Sequence, residues 1–474
     1  MKVLLVDPPL AHARVRYRGS PPFGLGVLAI DSYLEMHGVK DVELDNFFRC
    51  DWTEIEARLR RLNPDIVGAS CLTDTRAFCW QLARTAKQVN PKVKVVLGSF
   101  HATFFAREIL EHHPVDFCVL GEGEETMLEL VRALESGDAN FAGILGLAWR
   151  NGRTGEVHVN PRRPLLKDLD AIPISTKRRL FGNALGRQQA NMLSSRGCPF
   201  ACGFCSSPSF WGRTWRKRRP EKVVEEFEML RAQGAGVIEM ADDLFTMDLQ
   251  RAEAICDILI ARGNRTPWFA RARVDRITEH LVDKMIAAGC EEVSFGIESG
   301  DPEIIRRVNK KIDLDQAAEV FRMLARKKLY TQANFMIGNP GESPATVQKS
   351  IDLACRLNPS RITVCIAQAY PHTMLDEEAQ KHGLLTREMW YLKTDSVPYY
   401  TVDMPLEQMQ ALSTKMVFRW ALHRSPWDFL KMVHFNWQNV GTRRSLSFIF
   451  SWLASWLPGR RRPAAAGGPR TPRP

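Results

Sequence analysis

Short apolar segments alternate with amphipathic segments through the first 140 or so residues of the chain. The apolar segments at 2–6, 65–70 and 93–98 have the length of strands, and the segment at 24–37 has the periodicity of a helix. Continuous apolar strands between amphipathic helices are typical of a parallel sheet covered on both faces. We therefore predict a doubly wound α/β domain over residues 1–140, with ligands bound at the carboxyl ends of its strands.

A second alternation follows a segment at 141–190 that is poor in helix signals and can form a hairpin around Gly152 and Gly155. We expect this segment to be a connector. The apolar pattern then predicts strands at 191–196, 236–241, 267–273, 291–297, 331–337 and 361–367. Six βα units in series predict a (β/α)6-type partial TIM barrel over residues 191–375, with its active site at the carboxyl ends of the strands.

The end of the chain lacks strand alternation. Residues 376–457 are predicted to form a helical C-terminal region, and residues 458–474, rich in Pro, Gly, Ala and Arg, a disordered basic tail. The segment at 445–457 is apolar on most sides and flanked by arginines. It suits either an interfacial helix at a membrane surface or a helix that covers the barrel mouth.

Composition narrows the functional classes. The 474 residues carry a formal net charge of +11, concentrated at 216–219 and in the C-terminal tail, where a solvated surface is the favoured interpretation and no nucleic-acid partner is expected. No apolar run reaches the length of a membrane span. Eleven cysteines and no secretory signal indicate a cytoplasmic protein, with membrane association through 445–457 left open, whose thiols are free or bound to metal.

The strongest chemical signal is a cysteine motif at 194–208, just after a predicted strand. Cys198, Cys202 and Cys205 have the spacing of a loop that can place three thiolates on three corners of a 4Fe–4S cluster. The fourth iron is then left for a substrate or cofactor. A structural zinc site is the alternative, but zinc prefers four protein ligands and this loop contains no fourth cysteine and no histidine.

This loop resembles that of the radical S-adenosylmethionine (SAM) superfamily, whose motif also has an aromatic residue before the last cysteine, here Phe204. The resemblance covers residues 190–375. It implies that the free iron binds SAM, and that an electron from the cluster cleaves SAM to methionine and a 5′-deoxyadenosyl radical. That radical abstracts hydrogen from an unactivated carbon, while the protein supplies binding and orientation.

The resemblance also implies contacts to SAM. Asp242 and Asp243 match positions that bind its ammonium group, although one of them could instead cap the helix at 248–261. Arg273 could face the SAM carboxylate. Glu298 and Ser299 match further contact positions, with a salt bridge inside the barrel, for example to Arg273, as the structural alternative.

Several motifs of the first domain resemble the Rossmann-like cobalamin-binding module that is fused to many of these enzymes: DPP at 7–9, PPFGLGVLA at 21–29, GASCLT at 68–73, LGSFHAT at 97–103 and LGEGEET at 120–126. The cofactor contacts that this resemblance implies are Ser70, Thr73, Gly98, Ser99, His101, Gly121, Glu122 and Glu124. Asp7 is followed by two prolines, so the histidine that coordinates cobalt in part of this family is absent. A domain that has lost cobalamin is the alternative.

The whole chain resembles the branch that includes the anaerobic magnesium-protoporphyrin ester cyclase, hopanoid-tailoring enzymes and natural-product methylases. It implies C-methylation of an apolar or natural-product-like small molecule, with an oxidative cyclisation as the alternative and a flavodoxin- or ferredoxin-type protein as reductant. A methylthiotransferase is less favoured, because Cys50, Cys71, Cys79 and Cys118 do not have the spacing of a second cluster loop. A non-catalytic scaffold would need no cysteine triad.

Overall fold

The computed structural model describes residues 1–9, 23–177, 180–182, 186–394 and 396–425. Two sheets organise these residues, and each has seven strands. The segment at 445–457, the basic tail and the first two residues of the motif at 21–29 lie outside the described residues.

The first sheet contains parallel strands in the order β2-β1-β3-β4-β5, followed by two antiparallel strands, β6 and β7. Its strands are β1 Val3–Val6, β2 Val42–Asp45, β3 Ile66–Ser70, β4 Lys94–Gly98, β5 Phe117–Val119, β6 Leu147–Arg150 and β7 Val157–Val159. All four residues of β1 are buried, which explains why the central strands are apolar without alternation. The carboxyl ends of β1, β3, β4 and β5 meet along one edge.

Helices cover both faces of this sheet, as predicted. They are α1 Leu25–Met36, α2 Trp52–Leu62, α3 Arg76–Val89, α4 Ser99–Phe104, α5 Ala106–His112 and α6 Glu124–Ser136. Asp51 caps α2 by accepting the Glu54 N–H, and the Glu54 side chain accepts the Asp51 N–H in return. Helices α1 and α6 share one apolar core, whereas α2 to α5 contribute to the core on the opposite face.

The segment predicted to be a connector extends the first sheet. The hairpin around Gly152 and Gly155 forms, and its first strand pairs with β5 through Leu147 and Trp149. These two residues are buried in the same core as Phe117 and Phe141. The sheet therefore continues through residue 159, past the predicted domain end at 140.

The second sheet is a curled partial barrel. Its strands are β8 Phe181–Gly182, β9 Gln188–Met192, β12 Val237–Met240, β13 Trp268–Ala272, β14 Cys290–Glu298, β15 Tyr330–Ile337 and β16 Arg361–Ile366. Six of them are parallel, from β9 through β16, and the antiparallel β8 lies at the edge beside β9. Because β8 and β16 are the two ends of the strand order, the barrel is open, and the predicted architecture is confirmed.

The first barrel strand was predicted at the wrong residues. It spans Gln188–Met192 instead of 191–196, and two later residues, β10 Ser195–Arg196, pair with β11 Arg216–Lys217 in a separate ribbon. The physical reason is Asp242, whose carboxylate accepts the Ser194 N–H at 2.6 Å and the Ser195 hydroxyl at 2.8 Å. These bonds turn the chain out of the sheet immediately before the cysteine motif.

Helices surround the barrel and close its open side. They are α7 Ser207–Trp211, α8 Pro220–Ala232, α9 Leu249–Ala261, α10 Glu279–Ala287, α11 Pro302–Arg307, α12 Leu314–Arg326, α13 Pro344–Leu357, α14 Met374–Lys381, α15 Met389–Leu392 and α16 Leu406–Arg424. Helix α16 brings Met409 and Met416 into the barrel core. Trp390 and Tyr400 instead belong to a core of the first domain, so this segment joins the two domains. Across the described residues, no helix is both long and apolar enough to span a bilayer.

Candidate functional site

The cysteine loop is tied to the barrel by backbone hydrogen bonds on both sides. The Gly203 N–H donates to the Val308 carbonyl, and the Met374 N–H donates to the Gly203 carbonyl, each at 2.8 Å. The Asn309 side chain donates to the Ala201 carbonyl at 2.7 Å. The segment that carries the three cysteines is therefore held between the end of α11 and the start of α14.

One glycine of the motif is required by a close backbone neighbour, and a second lies against a side chain. Gly197 has a φ of +86°, and a Cβ there would lie 2.4 Å from the Thr214 carbonyl oxygen. A Cβ on Gly203 would lie 2.9 Å from Cε of Met374. Any other residue at 197 would strain the backbone and push β11 away from the loop.

The three thiols of the loop are partly buried and close enough to influence one another. Burial raises the pKa of each, that of Cys205 to about 11, and the Cys202 thiol adds to the effect at Cys198 and Cys205. Cations oppose this at Cys202, where burial raises the pKa but Lys310 and Arg273 lower it. Metal binding then has to displace the thiol protons, as it does in every thiolate site.

The donor set suits a cluster better than a single ion. Among the described residues, no three Cys, His, Asp or Glu side chains lie close enough together to bind one metal ion. A 4Fe–4S cluster binds each cysteine through a different iron, so its ligands surround a space instead of meeting at one point. Three partly exposed thiols on one anchored loop fit that requirement.

An ion pair that the sequence did not indicate lies against the cysteine loop. Lys310 Nζ donates to Glu298 at 2.8 Å and lies 5.8 Å from the centre of the Phe204 ring. Glu298 follows a bulge in β14 and has a φ of +68°, and a Cβ on Gly296 would collide with both partners. Burial by itself would lower the pKa of Lys310, but the Glu298 carboxylate more than offsets this. The pKa of Lys310 is therefore raised, and the side chain is charged. No spacing in the sequence links these two residues.

The salt bridge between Glu298 and Arg273, which was the structural alternative to a SAM contact, is not formed. The Arg273 guanidinium instead binds Asp275 at 2.9 Å, donates to the carbonyls of Lys310 and Lys311, and lies 3.7 Å from the centre of the Phe200 ring. Arg273 thus packs against the same loop from the other side.

The remaining predicted SAM contacts differ in availability. Asp242 is fully buried and is occupied by Ser194 and Ser195, whereas Asp243 is exposed and accepts only the Ser207 hydroxyl, at 3.1 Å. Neither caps α9, because Asp248 does so. Ser299 is fully buried and lies 3.3 Å from the Ser350 hydroxyl. Of these three predicted residues, Asp243 is the one with an exposed polar group.

A cavity of about 270 Å³ lies at the carboxyl ends of the strands of the first sheet. Its lining is mostly apolar and includes Val6, Val27, Ile30, Val96, Val119 and Met127. Six of the predicted cobalamin contacts line it: Ser70, Gly98, Ser99, Gly121, Glu122 and Glu124. These six residues therefore lie around one apolar space at the strand ends, which is where ligands of such sheets bind.

Thr73 and His101, two further predicted contacts, lie outside this cavity. His101 is fully buried, with Nδ1 3.3 Å from the Thr73 hydroxyl and Nε2 3.0 Å from the Trp390 carbonyl. Burial, with a smaller contribution from Arg76, lowers the pKa of His101 to about 3. The neutral ring therefore donates to Trp390 and helps to hold the two domains together.

The cavity and the cysteine loop are neighbours. Arg196, two residues before the first cysteine, lines the cavity and binds Glu122 at 2.7 Å and Glu124 at 2.6 Å. On the other side of the motif, Phe210 stacks on Phe100 with ring centroids 4.0 Å apart. The two predicted cofactor sites thus share a wall.

Comparison with known proteins agrees with this two-site arrangement. Residues 192–354 match the family model of the radical SAM superfamily, and residues 12–131 match the B12 binding domain. The chain is 34% identical over 425 residues to an uncharacterized methyltransferase of Pyrococcus horikoshii, which covers 88% of this chain and 90% of that protein. It is 31% identical over 393 residues to the anaerobic magnesium-protoporphyrin IX monomethyl ester cyclase of Rubrivivax gelatinosus, with 80% and 70% covered.

A solved structure shares the fold. It is the radical SAM methyltransferase TsrM of Kitasatospora setae with cobalamin and a [4Fe-4S] cluster bound, at a TM-score of 0.68, 21% identity, and coverage of 81% of this chain and 75% of that one. The matches extend over both domains. The chain therefore belongs to the cobalamin-binding branch of the radical SAM superfamily, with a 4Fe–4S cluster, SAM and cobalamin as its cofactors.

Proposed function

We propose that the protein methylates an unactivated carbon of an apolar or natural-product-like small molecule. The observation that carries the proposal is the shared wall between the apolar cavity and the cysteine loop, formed by Arg196 and Phe210. When bound, the cluster with SAM supplies a radical that removes hydrogen, and the corrinoid supplies a methyl group. Both cofactors then reach the same substrate from neighbouring sites.

The residues around the cysteine loop support a binding mode for SAM. The exposed Asp243 carboxylate suits the SAM ammonium, because its neighbour Asp242 is already saturated with hydrogen bonds. Glu298 bonds to Lys310 through one oxygen, which leaves the other for a hydroxyl donor such as a ribose. Arg273 packs on Phe200 of the cysteine loop, and its guanidinium suits the SAM carboxylate.

The substrate is proposed to bind at the seam between the domains, where the barrel mouth meets the first domain. Tyr370 donates to Asp74 at 2.9 Å, and the exposed His372 lies 4.7 Å from the ring of Phe104, so both stand where the barrel mouth meets the first domain. Tyr330 is at the amino end of β15 and thus at the opposite end of the barrel. The aromatic residues at this seam support an apolar substrate.

Oxidative cyclisation is the second candidate, favoured by the 31% identity to the anaerobic cyclase. A methylthiotransferase gains no support, since Cys71, Cys79 and Cys118 are fully buried in the first domain.

Anaerobic reconstitution followed by incubation with SAM carrying a deuterated methyl group separates methylation from cyclisation. Methylation predicts a product heavier by the labelled methyl and one S-adenosylhomocysteine for each 5′-deoxyadenosine. Deoxyadenosine without adenosylhomocysteine would instead indicate cyclisation.

Two further partners belong to the same proposal. A flavodoxin- or ferredoxin-type reductant is supported by the exposed basic residues Arg306, Arg307 and Lys311, which directly flank the backbone contact of Val308 with the cysteine loop. The apolar sequence at 445–457, which arginines flank on both sides, supports peripheral membrane contact. Sedimentation of the full chain with anionic vesicles, compared with a chain ending at residue 425, tests the second point.

A further inference from the structure

Both flanks of the cysteine motif form part of the N-terminal cavity. Arg196 lies two residues before the first cysteine, Phe210 and Trp211 lie after the last one, and all three line the cavity. Phe210 also stacks on Phe100 of the first domain, with the ring planes 13° apart. A molecule that fills the cavity therefore contacts both ends of the loop that carries the cluster ligands.

Arg196 connects this loop to the first domain through buried ion pairs. Its Nη1 donates to Glu122 at 2.7 Å and its Nη2 donates to Glu124 at 2.6 Å. Arg216, which faces Arg196 in the β10–β11 ribbon, donates to the second oxygen of Glu122 at 2.7 Å. Two carboxylates and two guanidinium groups thus balance one another, and both carboxylates belong to the cavity wall.

The geometry leaves Arg196 little freedom to move independently. Its backbone is fixed by the ribbon to Arg216, and the next residue, Gly197, is packed against the Thr214 carbonyl. Buried ion pairs contribute little net stability, but they are strict about geometry, because a displaced partner leaves an uncompensated charge. A shift of Glu122 or Glu124 is therefore transmitted to the backbone two residues before Cys198.

We propose that Arg196 is a positioning residue that couples corrinoid binding in the N-terminal cavity to the conformation of the cluster loop. The inference rests on the proposed function, since it takes the cavity to be the corrinoid site. Coupling between two sites is reciprocal. A bound corrinoid therefore stabilises the loop in its cluster-binding form, and an assembled cluster tightens corrinoid binding by the same factor.

The test is a titration of hydroxocobalamin into cluster-loaded protein and into anaerobically chelated, cluster-free protein, followed by absorbance. We expect at least about five-fold tighter binding to the loaded wild type, the lower end of typical coupling. Glu124→Gln keeps the size of the side chain but removes its charge, so the difference should vanish. Glu125→Gln is the matched control, because its partner Arg163, at 3.0 Å, does not line the cavity.

A second measurement reports on the loop itself. In cluster-free protein, hydroxocobalamin should slow amide hydrogen exchange across residues 196–211 in the wild type and in Glu125→Gln, but not in Glu124→Gln. Arg196→Lys, which keeps the charge but loses the fork between two carboxylates, should also lose the effect. Circular dichroism verifies that each variant is folded, and two independent variants keep the test decisive if one is not.

The outcomes separate the coupling from the proposed function. Equal affinity of loaded and cluster-free wild type, or a difference that survives in both Glu124→Gln and Arg196→Lys, overturns the coupling and leaves the proposed function intact. Failure of both forms of the wild type to bind hydroxocobalamin overturns the proposed function and the coupling together.

Discussion

The N-terminal cavity and the barrel mouth differ in the share of charged groups around them. The cavity is lined mostly by apolar side chains and by glycines at the ends of β4 and β5, and its wall holds one group of ion pairs, those of Arg196 with Glu122 and Glu124. At the barrel mouth, ion pairs dominate: Glu298 pairs with Lys310, and Arg273 pairs with Asp275. A ligand of the cavity mainly fills space beside apolar side chains, whereas a ligand of the barrel mouth has to join or replace existing ion pairs.

This difference indicates how each region should respond to mutation. An apolar cavity is blocked by added volume, and its ligand is lost without a change in charge. A charged site is disturbed by removal of one partner, because the other charge then stays buried and unpaired. The variants below exploit this contrast, beginning with the two that should each affect one region far more than the other.

Cys202→Ala should abolish 5′-deoxyadenosine formation, because the cluster loses one of its three ligands. The same variant should keep measurable corrinoid binding, since Cys202 does not line the N-terminal cavity. Product analysis after anaerobic reconstitution and the visible absorbance of bound corrinoid measure the two effects. Cys355→Ser, on α13, is the control that should retain both. Deoxyadenosine formation by Cys202→Ala at the wild-type rate would contradict the cluster assignment.

Gly98→Leu should give the converse result. The backbone at Gly98 is extended, with a φ of −133°, and a Cβ there makes an ordinary contact of 3.8 Å with Val119. A leucine is therefore tolerated by the backbone but projects beside the cavity wall, and we expect corrinoid binding to weaken on the order of 100-fold, about 3 kcal/mol. SAM cleavage should persist.

Gly152→Leu serves as the control for that variant, since its Cβ would meet open space in the hairpin turn. Equilibrium titration with hydroxocobalamin measures all three proteins under the same conditions. Unchanged affinity in Gly98→Leu would show that the corrinoid binds elsewhere.

The distance along the chain between interacting residues decided what the sequence could predict. Helix α1, Leu25–Met36, was expected at 24–37 because its periodicity is a local signal. The departure of residues 194–196 from the barrel sheet was missed, because Asp242, 48 positions from Ser194, causes it. Local patterns fix elements, whereas contacts across the chain fix where side chains point.

The candidate sites show the same division. The cysteine spacing is local, and it predicts the cluster loop without any contact from elsewhere in the chain. His101 was predicted to contact the corrinoid from its motif, yet its ring binds the Trp390 carbonyl, 289 positions away, and lies outside the cavity. Lys310 and the Arg196 ion pairs were not predicted at all, because their partners are also distant in sequence and no motif marks them.

Lys310→Met should destabilise the protein by about 3 kcal/mol, because it leaves the Glu298 charge buried without its partner. Urea unfolding followed by circular dichroism measures the effect. Adding Glu298→Gln to this variant should recover more than half of the loss, since the unpaired charge is then gone. Lys222→Met breaks the exposed pair with Glu225 and should cost less than about 1 kcal/mol. Equal losses in the two single variants would contradict the burial of the Lys310 pair.

The smallest expected change in stability is the pH-dependent contribution of Glu342, which lies in the loop after β15 at the barrel mouth. The Glu342 carboxylate accepts the N–H groups of Gly338 at 2.7 Å and Asn339 at 3.1 Å. Burial nevertheless raises its pKa to about 7, against those hydrogen bonds. Because the pKa is higher in the folded protein than in the unfolded chain, stability is lost as the pH rises through the interval from about 4.5 to about 7.

Glu342→Gln should remove that dependence. A glutamine oxygen can still accept both N–H groups, so the variant keeps the loop but has no proton to lose. Between pH 5 and pH 8 we expect the stability of Glu342→Gln relative to wild type to rise by about 2 kcal/mol, and urea midpoints at the two pH values measure it. Glu303→Gln is the control, because Arg306 lowers the pKa of the exposed Glu303 and its removal gives no such gain at high pH. A constant difference between Glu342→Gln and wild type at both pH values would mean that Glu342 is ionised throughout, and that the two N–H donors outweigh the burial of its charge.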